Sequence, residues 1–302
     1  MGLCDGRVAV VTGAGRGIGR QHALQLAAQG AAVVVNDIGA AVDGTGADGS
    51  AARQVAEEIT AAGGRACAST DDIASWEGGP RLIELALDTY GRLDVVVNNA
   101  GILRDRMLVN MTEAEWDAVI AVHLKGTFVV SRSAAAYWRD QAKAGHASDA
   151  RIINTTSASG IYGNIGQINY GAAKAGIAAM TIIAAKELGR YGVTVNAIAP
   201  EAFTRMTLRS DQDIDPDVRE LLDPRRVSPI VCWLASSESR AVTGRVFDVN
   251  GRRISVSEGW HRGPSLDYPG DDPAKLGAGI LEIVARARPN ATMQGLDDKE
   301  RR

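Results

Sequence analysis

Three side chains near the middle of the chain are spaced for proton transfer: the Ser157 hydroxyl, and Tyr170 and Lys174 four residues apart. A spacing of four puts the phenol and the amine on one face of a helix. A free phenol has a pKa of about 10, and a nearby ammonium favours the phenolate, so Tyr170 reads as a base. Ser157 closes the strand-like run ARIINTTS, where its hydroxyl can hold a substrate oxygen while Tyr170 takes the proton. A Tyr-x-x-x-Lys pair is common on solvated helices, and its meaning here comes from a second feature. The Gly-rich turn Thr12-Gly13-Ala14-Gly15-Arg16-Gly17-Ile18-Gly19 follows the first strand-like run and opens a helix. Its glycines let the backbone approach a pyrophosphate, and the N–H groups at the helix start point at the anion. Together these features read as hydride transfer at a hydroxyl or carbonyl carbon, with Gly13, Arg16, Gly17, Ile18 and Gly19 against a dinucleotide.

The second strand-like run ends Val35-Asn36-Asp37, the right distance downstream for a carboxylate that accepts from the adenosine ribose hydroxyls. A carboxylate there repels a 2′-phosphate, so NAD is favoured over NADP, while Arg16 keeps the phosphate within reach of a cation. Four scattered histidines with no Cys/His cluster give no metal-site signal.

These residues need a frame. Short β-branched runs recur at 8–11, 32–35, 95–97, 152–155, 193–198 and 246–249, alternating with helix-length stretches. Runs apolar on consecutive residues belong to a parallel sheet covered on both faces, so the expected class is α/β, doubly wound. Thr112 and Glu115 form a capping box for a helix over 114–139, and Gly30 and Gly63 stand where helices stop. Residues 38–50, rich in Gly, Ala and Asp, read as an extended loop that orders around ligand. After Arg252 the parallel pattern ends, and a Gly/Pro/Asp-rich link leads to a helix over about 273–287.

The 302 residues carry 36 acidic and 33 basic side chains, a net charge of −3, with no basic run of the kind that binds nucleic acid. Cys4, Cys67 and Cys232 are odd in number and far apart, which fits a reducing compartment. The opening MGLCDGRVAVVTG has no signal-like pattern and no apolar stretch reads as long enough to span a bilayer. A cytoplasmic protein without membrane attachment is expected.

At these residues the chain resembles the short-chain dehydrogenase/reductase family. The markers are the TGxxxGxG turn, Asn98-Asn99-Ala100-Gly101, and the Ser157, Tyr170, Lys174 trio, and the likeness covers about residues 5–252. The resemblance implies a single Rossmann-type domain over 1–252, of about seven strands in the order 3-2-1-4-5-6-7. A C-terminal extension over 253–302 would pack on or near the substrate side. It further implies that Asp72 and Ile73 touch adenine, that Asn99, Ala100 and Gly101 line the cofactor, and that Pro200, Ala202 and Thr204 also contact it. Lys174 would hold the nicotinamide ribose.

Finer motifs, NDIG, NNAGILRDR, VHLKG, SASGIYGNIGQINY and APEAFTRMT, are similar to the (3R)-hydroxyacyl-CoA dehydrogenase domains of peroxisomal multifunctional enzymes of type 2, the 17β-hydroxysteroid dehydrogenases type 4. That likeness implies NAD+-dependent oxidation of a 3-hydroxyacyl-CoA. The alternatives are oxidation of a steroid hydroxyl or of a steroid with a CoA-linked side chain, and a non-catalytic NAD(H)-binding module. In VHLKG, His123 stands where most of the family has an Asn of a proton relay. An imidazole with its ordinary pKa near 6.5 would make that relay pH-sensitive. Arg205, Arg209, Arg225 and Arg226 could meet coenzyme A phosphates or face solvent, and Ile161, Tyr162 and Ile165 would flank an apolar trough. The helix after Tyr170 is apolar on more than one side, so a homodimer or homotetramer is expected, with that helix and 114–139 at the interface.

Overall fold

The computed structural model describes residues 2–203, 215–267 and 276–296. It divides into two units, Met1–Ser257 and Glu258–Arg302. The first unit is built on an eight-stranded sheet of β1 (Val8–Thr12), β2 (Ala32–Asn36), β3 (Arg65–Ser69), β4 (Val95–Asn98), β5 (Ala150–Thr155), β6 (Val193–Pro200), β7 (Val246–Val249) and β8 (Ile254–Ser257). Its spatial order is β3-β2-β1-β4-β5-β6-β7-β8. The first seven strands run parallel, in the expected order, and β8 adds an antiparallel eighth.

Helices cover both faces: α1 (Gly17–Ala28), α2 (Ser50–Ala61) and α9 (Ser228–Ala235) on one, α3 (Gly78–Tyr90), α5 (Gly126–Lys143) and α7 (Ile168–Leu188) on the other. Shorter helices are α4 (Glu113–Ile120), α6 (Ala158–Ile161) and α8 (Pro216–Leu221), and α10 (Gly277–Arg286) lies in the second unit. Consecutive strand residues face opposite cores. Val33 and Val35 pack with Leu26, Val55 and Leu234, whereas Val34 packs with Leu82, Val130 and Trp138. This two-sided burial is why the strands read as continuous β-branched runs rather than alternating ones, and each such side chain contributes about 1.5–3 kcal/mol.

The capping box of Thr112 and Glu115 starts α4 as the sequence suggests. The expected single helix is instead α4 and α5 joined through a π-turn, Ala121–Lys125, which carries His123. The loop over 38–49 is seated on the segment after β4: Leu103 N–H donates to Val42 O at 2.9 Å and Arg104 Nε to Asp43 O at 2.8 Å. One helical stretch, Ile168–Tyr191, is long and apolar enough on average to cross a membrane, contrary to the reading of the sequence. It is a core helix here, with Ala173, Lys174, Ile177 and Thr181 buried against the sheet.

Candidate active site

The sheet's strand order reverses between β1 and β4, and the carboxyl ends of these strands open a crevice where α/β sheets hold ligands. Around it lies the Gly-rich turn. Gly13 and Gly17 have φ of 62° and 55°, the left-handed region that favours glycine. A Cβ on Gly19 would sit 2.2 Å from Gly13 O and 2.4 Å from Asn99 Nδ2, so the turn closes only on hydrogen atoms. Arg16 caps α1 with extended backbone and no side-chain bond, leaving the first N–H groups of α1 directed outward. Ile18 packs against the core below.

Asp37 follows β2 and shapes the same crevice. Its Oδ2 accepts from Gly15 N–H at 2.9 Å and its Oδ1 from Gly39 N–H at 2.7 Å. A carboxylate has lone pairs beyond these two, so the ribose role remains open to it. Asp72 is exposed and accepts from Ala74 N–H, and Ile73 is buried with its side chain against Gly126. Asn99 Nδ2 donates to Thr12 O and Gly13 O at 3.1 and 3.2 Å, tying the segment after β4 to the turn. Thr12 Oγ1 accepts from both Asn99 and Ala100 N–H groups, a bracing role that sequence reasoning missed. Pro200 ends β6, and Ala202 is buried just beyond it. Thr204, Arg205 and Arg209 lie outside the described residues. This glycine cradle, with no room for a Cβ, a free helix start and a carboxylate on its rim, fits a dinucleotide.

The Ser157, Tyr170 and Lys174 trio converges from two elements. Ser157 caps α6, its Oγ accepting from Ser159 N–H at 3.2 Å. Tyr170 and Lys174 stand on one face of α7, with Lys174 Nζ 5.6 Å from the phenol ring centroid. That Nζ donates to Thr155 O at 2.6 Å, and Thr156 Oγ1 donates to Lys174 O at 2.7 Å, so both ends of Lys174 are fixed to the strand that leads to Ser157. Burial depresses the ammonium to a pKa of about 7. Burial raises the phenol, a hydrogen bond from Ser157 pulls it back, and the charge of Asp105 pushes it further up. The phenolate inferred from the Tyr-Lys spacing is therefore not favoured by the protein alone, because desolvation outweighs the hydrogen bond from Ser157.

His123 meets Tyr170 edge-on, ring centroids 5.2 Å apart at 90°. Its Nε2 lies 3.0 Å from Ile102 N and 2.8 Å from Ile102 O, its Cε1 covers Gly101, and its Nδ1 is buried without a partner. Burial first, and the Lys174 charge second, lower its pKa to about 3. The pH-sensitive relay expected of an ordinary imidazole is thereby corrected: this ring stays neutral across the physiological range. We expect His123→Asn to leave the positions of both limbs of the pH–rate profile unchanged between about pH 5 and 8. A limb that moves with this substitution would show that the ring titrates in turnover.

Two arginines weighed as phosphate contacts are already paired. Arg225 makes a two-pronged ion pair with Asp223, and Arg226 pairs with Glu220 at 2.7 Å. Exposed apolar side chains flank the Arg106–Gln167 bridge that precedes Tyr170: Met107, Leu108, Val109, Ile165 and Ile168. Of the trough residues named from sequence, Ile165 belongs to this surface, whereas Tyr162 is turned to Asp248, to which its hydroxyl donates at 2.6 Å. Sequence reasoning also missed the amide ladder below the site. Asn98 Nδ2 donates to Asn154 Oδ1 and Asn154 Nδ2 to Thr181 Oγ1, each at 2.9 Å, joining β4, β5 and α7.

Comparison with known proteins agrees with this geometry. The family model described as short chain dehydrogenase matches residues 7–214. The chain is 45% identical over 304 residues to hydroxyacyl-CoA dehydrogenase ChsB1 of Mycobacterium tuberculosis, covering 97% of this chain and 93% of that protein. It is 46% identical over 245 residues to mouse peroxisomal multifunctional enzyme type 2, covering 81% of this chain but only 32% of that longer protein. The crystal structure of a short chain dehydrogenase from Mycobacterium avium superposes with a TM-score of 0.87 at 54% identity, over 96% of this chain and 99% of that one. With the glycine cradle, the Ser-Tyr-Lys trio and the strand order in place, the chain belongs to the short-chain dehydrogenase family.

Proposed function

We propose that this protein oxidises a (3R)-3-hydroxyacyl-CoA to the 3-ketoacyl-CoA with NAD+ as hydride acceptor. The observation that carries this reading is the similarity to a hydroxyacyl-CoA dehydrogenase along nearly the full length of both chains, well beyond the segment shared by the whole family. The chemistry follows from the site. Ser157 holds the substrate oxygen, Tyr170 takes the hydroxyl proton, and the C3 hydrogen leaves with its electron pair as the C–O bond becomes a carbonyl. A nicotinamide dinucleotide held by the glycine turn would supply the hydride acceptor and, in its oxidised form, a positive charge that favours the phenolate. Lys174, held by Thr155 and Thr156, orients the ribose and lends a further cation beside the ring. The exposed apolar residues around Met107 and Ile165 suit the acyl chain. Initial rates on 3-hydroxyacyl-CoA thioesters and on free 17β-hydroxysteroids test the assignment; turnover of the steroids alone overturns it.

NAD rather than NADP is favoured by Asp37, whose negative charge faces the adenosine side of the crevice. We expect Asp37→Ala to raise KM for NAD+ about tenfold or more, the loss of a charged hydrogen bond, and to narrow the preference against NADP+. Equal use of both dinucleotides by the wild type would remove the preference. A homodimer or homotetramer is supported by the apolar side chains that α4, α5 and α7 leave exposed, Trp116, Phe128, Ile182 and Ile183. Light scattering at working concentration should find more than one copy, and a monomer contradicts the reading. The three free cysteines suit a reducing, cytoplasmic setting.

A further inference from the structure

Gln167, the residue capping α7, has its amide engaged by three segments. Its Oε1 accepts from the Ser159 hydroxyl at 2.8 Å and from Asn164 Nδ2 at 2.9 Å. Its Nε2 donates to Asp105 Oδ2 at 2.8 Å. Two donors on the oxygen and a carboxylate on the nitrogen fix which way the amide points. The backbone reinforces the link, because Arg106 N–H donates to Gly166 O at 2.8 Å and Arg106 bridges to Gln167 in parallel. Ser159 in turn donates its N–H to Ser157 Oγ, and Tyr170 follows Gln167 by three residues on the same helix. Hydrogen bonds therefore run from Asp105, through Gln167 and Ser159, to the catalytic hydroxyl.

The Asp105 side chain has no cationic partner among the described residues. Of the arginines on either side, Arg106 pairs with Glu115 at 2.9 Å and Arg104 Nε donates to Asp43 O. Among the described residues no Lys, Arg or His lies within ion-pair distance of it. The other groups facing the phenol are Lys174 on its own helix, neutral His123 from the π-turn, and Ser157 from the cap of α6.

We propose that Gln167 is a positioning residue for the Ser157–Tyr170 pair, and that the Asp105 carboxylate it holds sets the pH at which Tyr170 gives up its proton. The Asp105 charge, on the exposed side of Gln167, opposes the phenolate, and the hydrogen-bonded amide keeps that charge at one place. The retained proton has a use: a phenolate formed against such a charge is the stronger base once it forms. The inference rests on Tyr170 being the proton acceptor of the proposed reaction.

The test is a swap. Asp105→Asn keeps an oxygen to accept from Gln167 while removing the charge, so the acidic limb of the kcat profile should move to lower pH with KM unchanged. Gln167→Glu sets a second carboxylate against Asp105 and should lower kcat roughly tenfold while leaving KM for the dinucleotide in place. The double variant restores an amide–carboxylate pair with the partners exchanged, and should recover most of that loss. A limb in Asp105→Asn superimposable on the wild type, or a double variant no better than Gln167→Glu, overturns the proposal. Ultraviolet titration of the phenol, taken as the difference from Tyr170→Phe, needs no substrate. A lower midpoint there in Asp105→Asn upholds the link even if the protein turns over no hydroxyacyl-CoA, and an unmoved midpoint rejects it.

Discussion

Tyr170→Phe should lower kcat by about 10²–10⁴-fold, the range that positioned proton transfer supplies, while the protein still binds NADH. The ring's packing is kept by phenylalanine: the edge-on contact with His123 and the apolar neighbours Ile102, Val119 and Ala173 do not involve the hydroxyl. What is lost is the only phenol in the trio, and with it the acceptor for the substrate proton. Lys174 does not stand in for it, because its Nζ is turned to Thr155 O, to which it donates at 2.6 Å. Binding measured by NADH fluorescence separates the two effects. A variant that loses binding as well as turnover would assign Tyr170 a structural role instead.

Gly19→Ala should reduce kcat/KM for the dinucleotide by roughly 10²-fold, through a displacement of the turn. The added methyl would meet Gly13 O at 2.2 Å, which cannot yield without moving backbone, and Asn99 Nδ2 at 2.4 Å, which yields only by giving up its hydrogen bonds. Asn99 in particular is held by Thr12 O and Gly13 O, so the strain passes to both sides of the crevice. Overpacking of this kind costs about 1–3 kcal/mol of stability, and each kcal/mol lowers Tm by about 2–4 °C in a chain of this size. Gly63→Ala is the control, since nothing lies within 4 Å of the added carbon and the site is at the end of α2. It should lower Tm through its φ of 85° without touching dinucleotide affinity. Equal affinity in wild type and Gly19→Ala would mean that the turn is not where the pyrophosphate binds.

The parallel strands were legible because burial on both faces favours runs rich in β-branched and small apolar residues, as in Val8–Thr12 and Val193–Pro200. The two edge strands were not. Arg65–Ser69 is RACAS, small and partly exposed, and Ile254–Ser257 alternates because only one side of it is covered. At the site, Tyr170 and Lys174 could be paired from their spacing, since α7 fixes it. Thr12, Asn154, Gln167 and Asp105 could not, being ordinary polar residues whose partners lie elsewhere in the sequence. Charge was legible and its partners were not: Arg225 and Arg226 are neutralised by Asp223 and Glu220. His123 was found by its position in VHLKG, but its protonation is decided by burial, which a motif does not encode.

The most direct test of the whole account is stereochemical. Purified protein is mixed with NAD+ and matched (3R)- and (3S)-3-hydroxyacyl-CoA thioesters, and NADH absorbance is followed, with Tyr170→Phe in parallel. The proposed function predicts NADH formation from the (3R) thioester, little from its C3 epimer, and none of note from the variant. Turnover of the (3S) thioester, or turnover that survives in Tyr170→Phe, would contradict it.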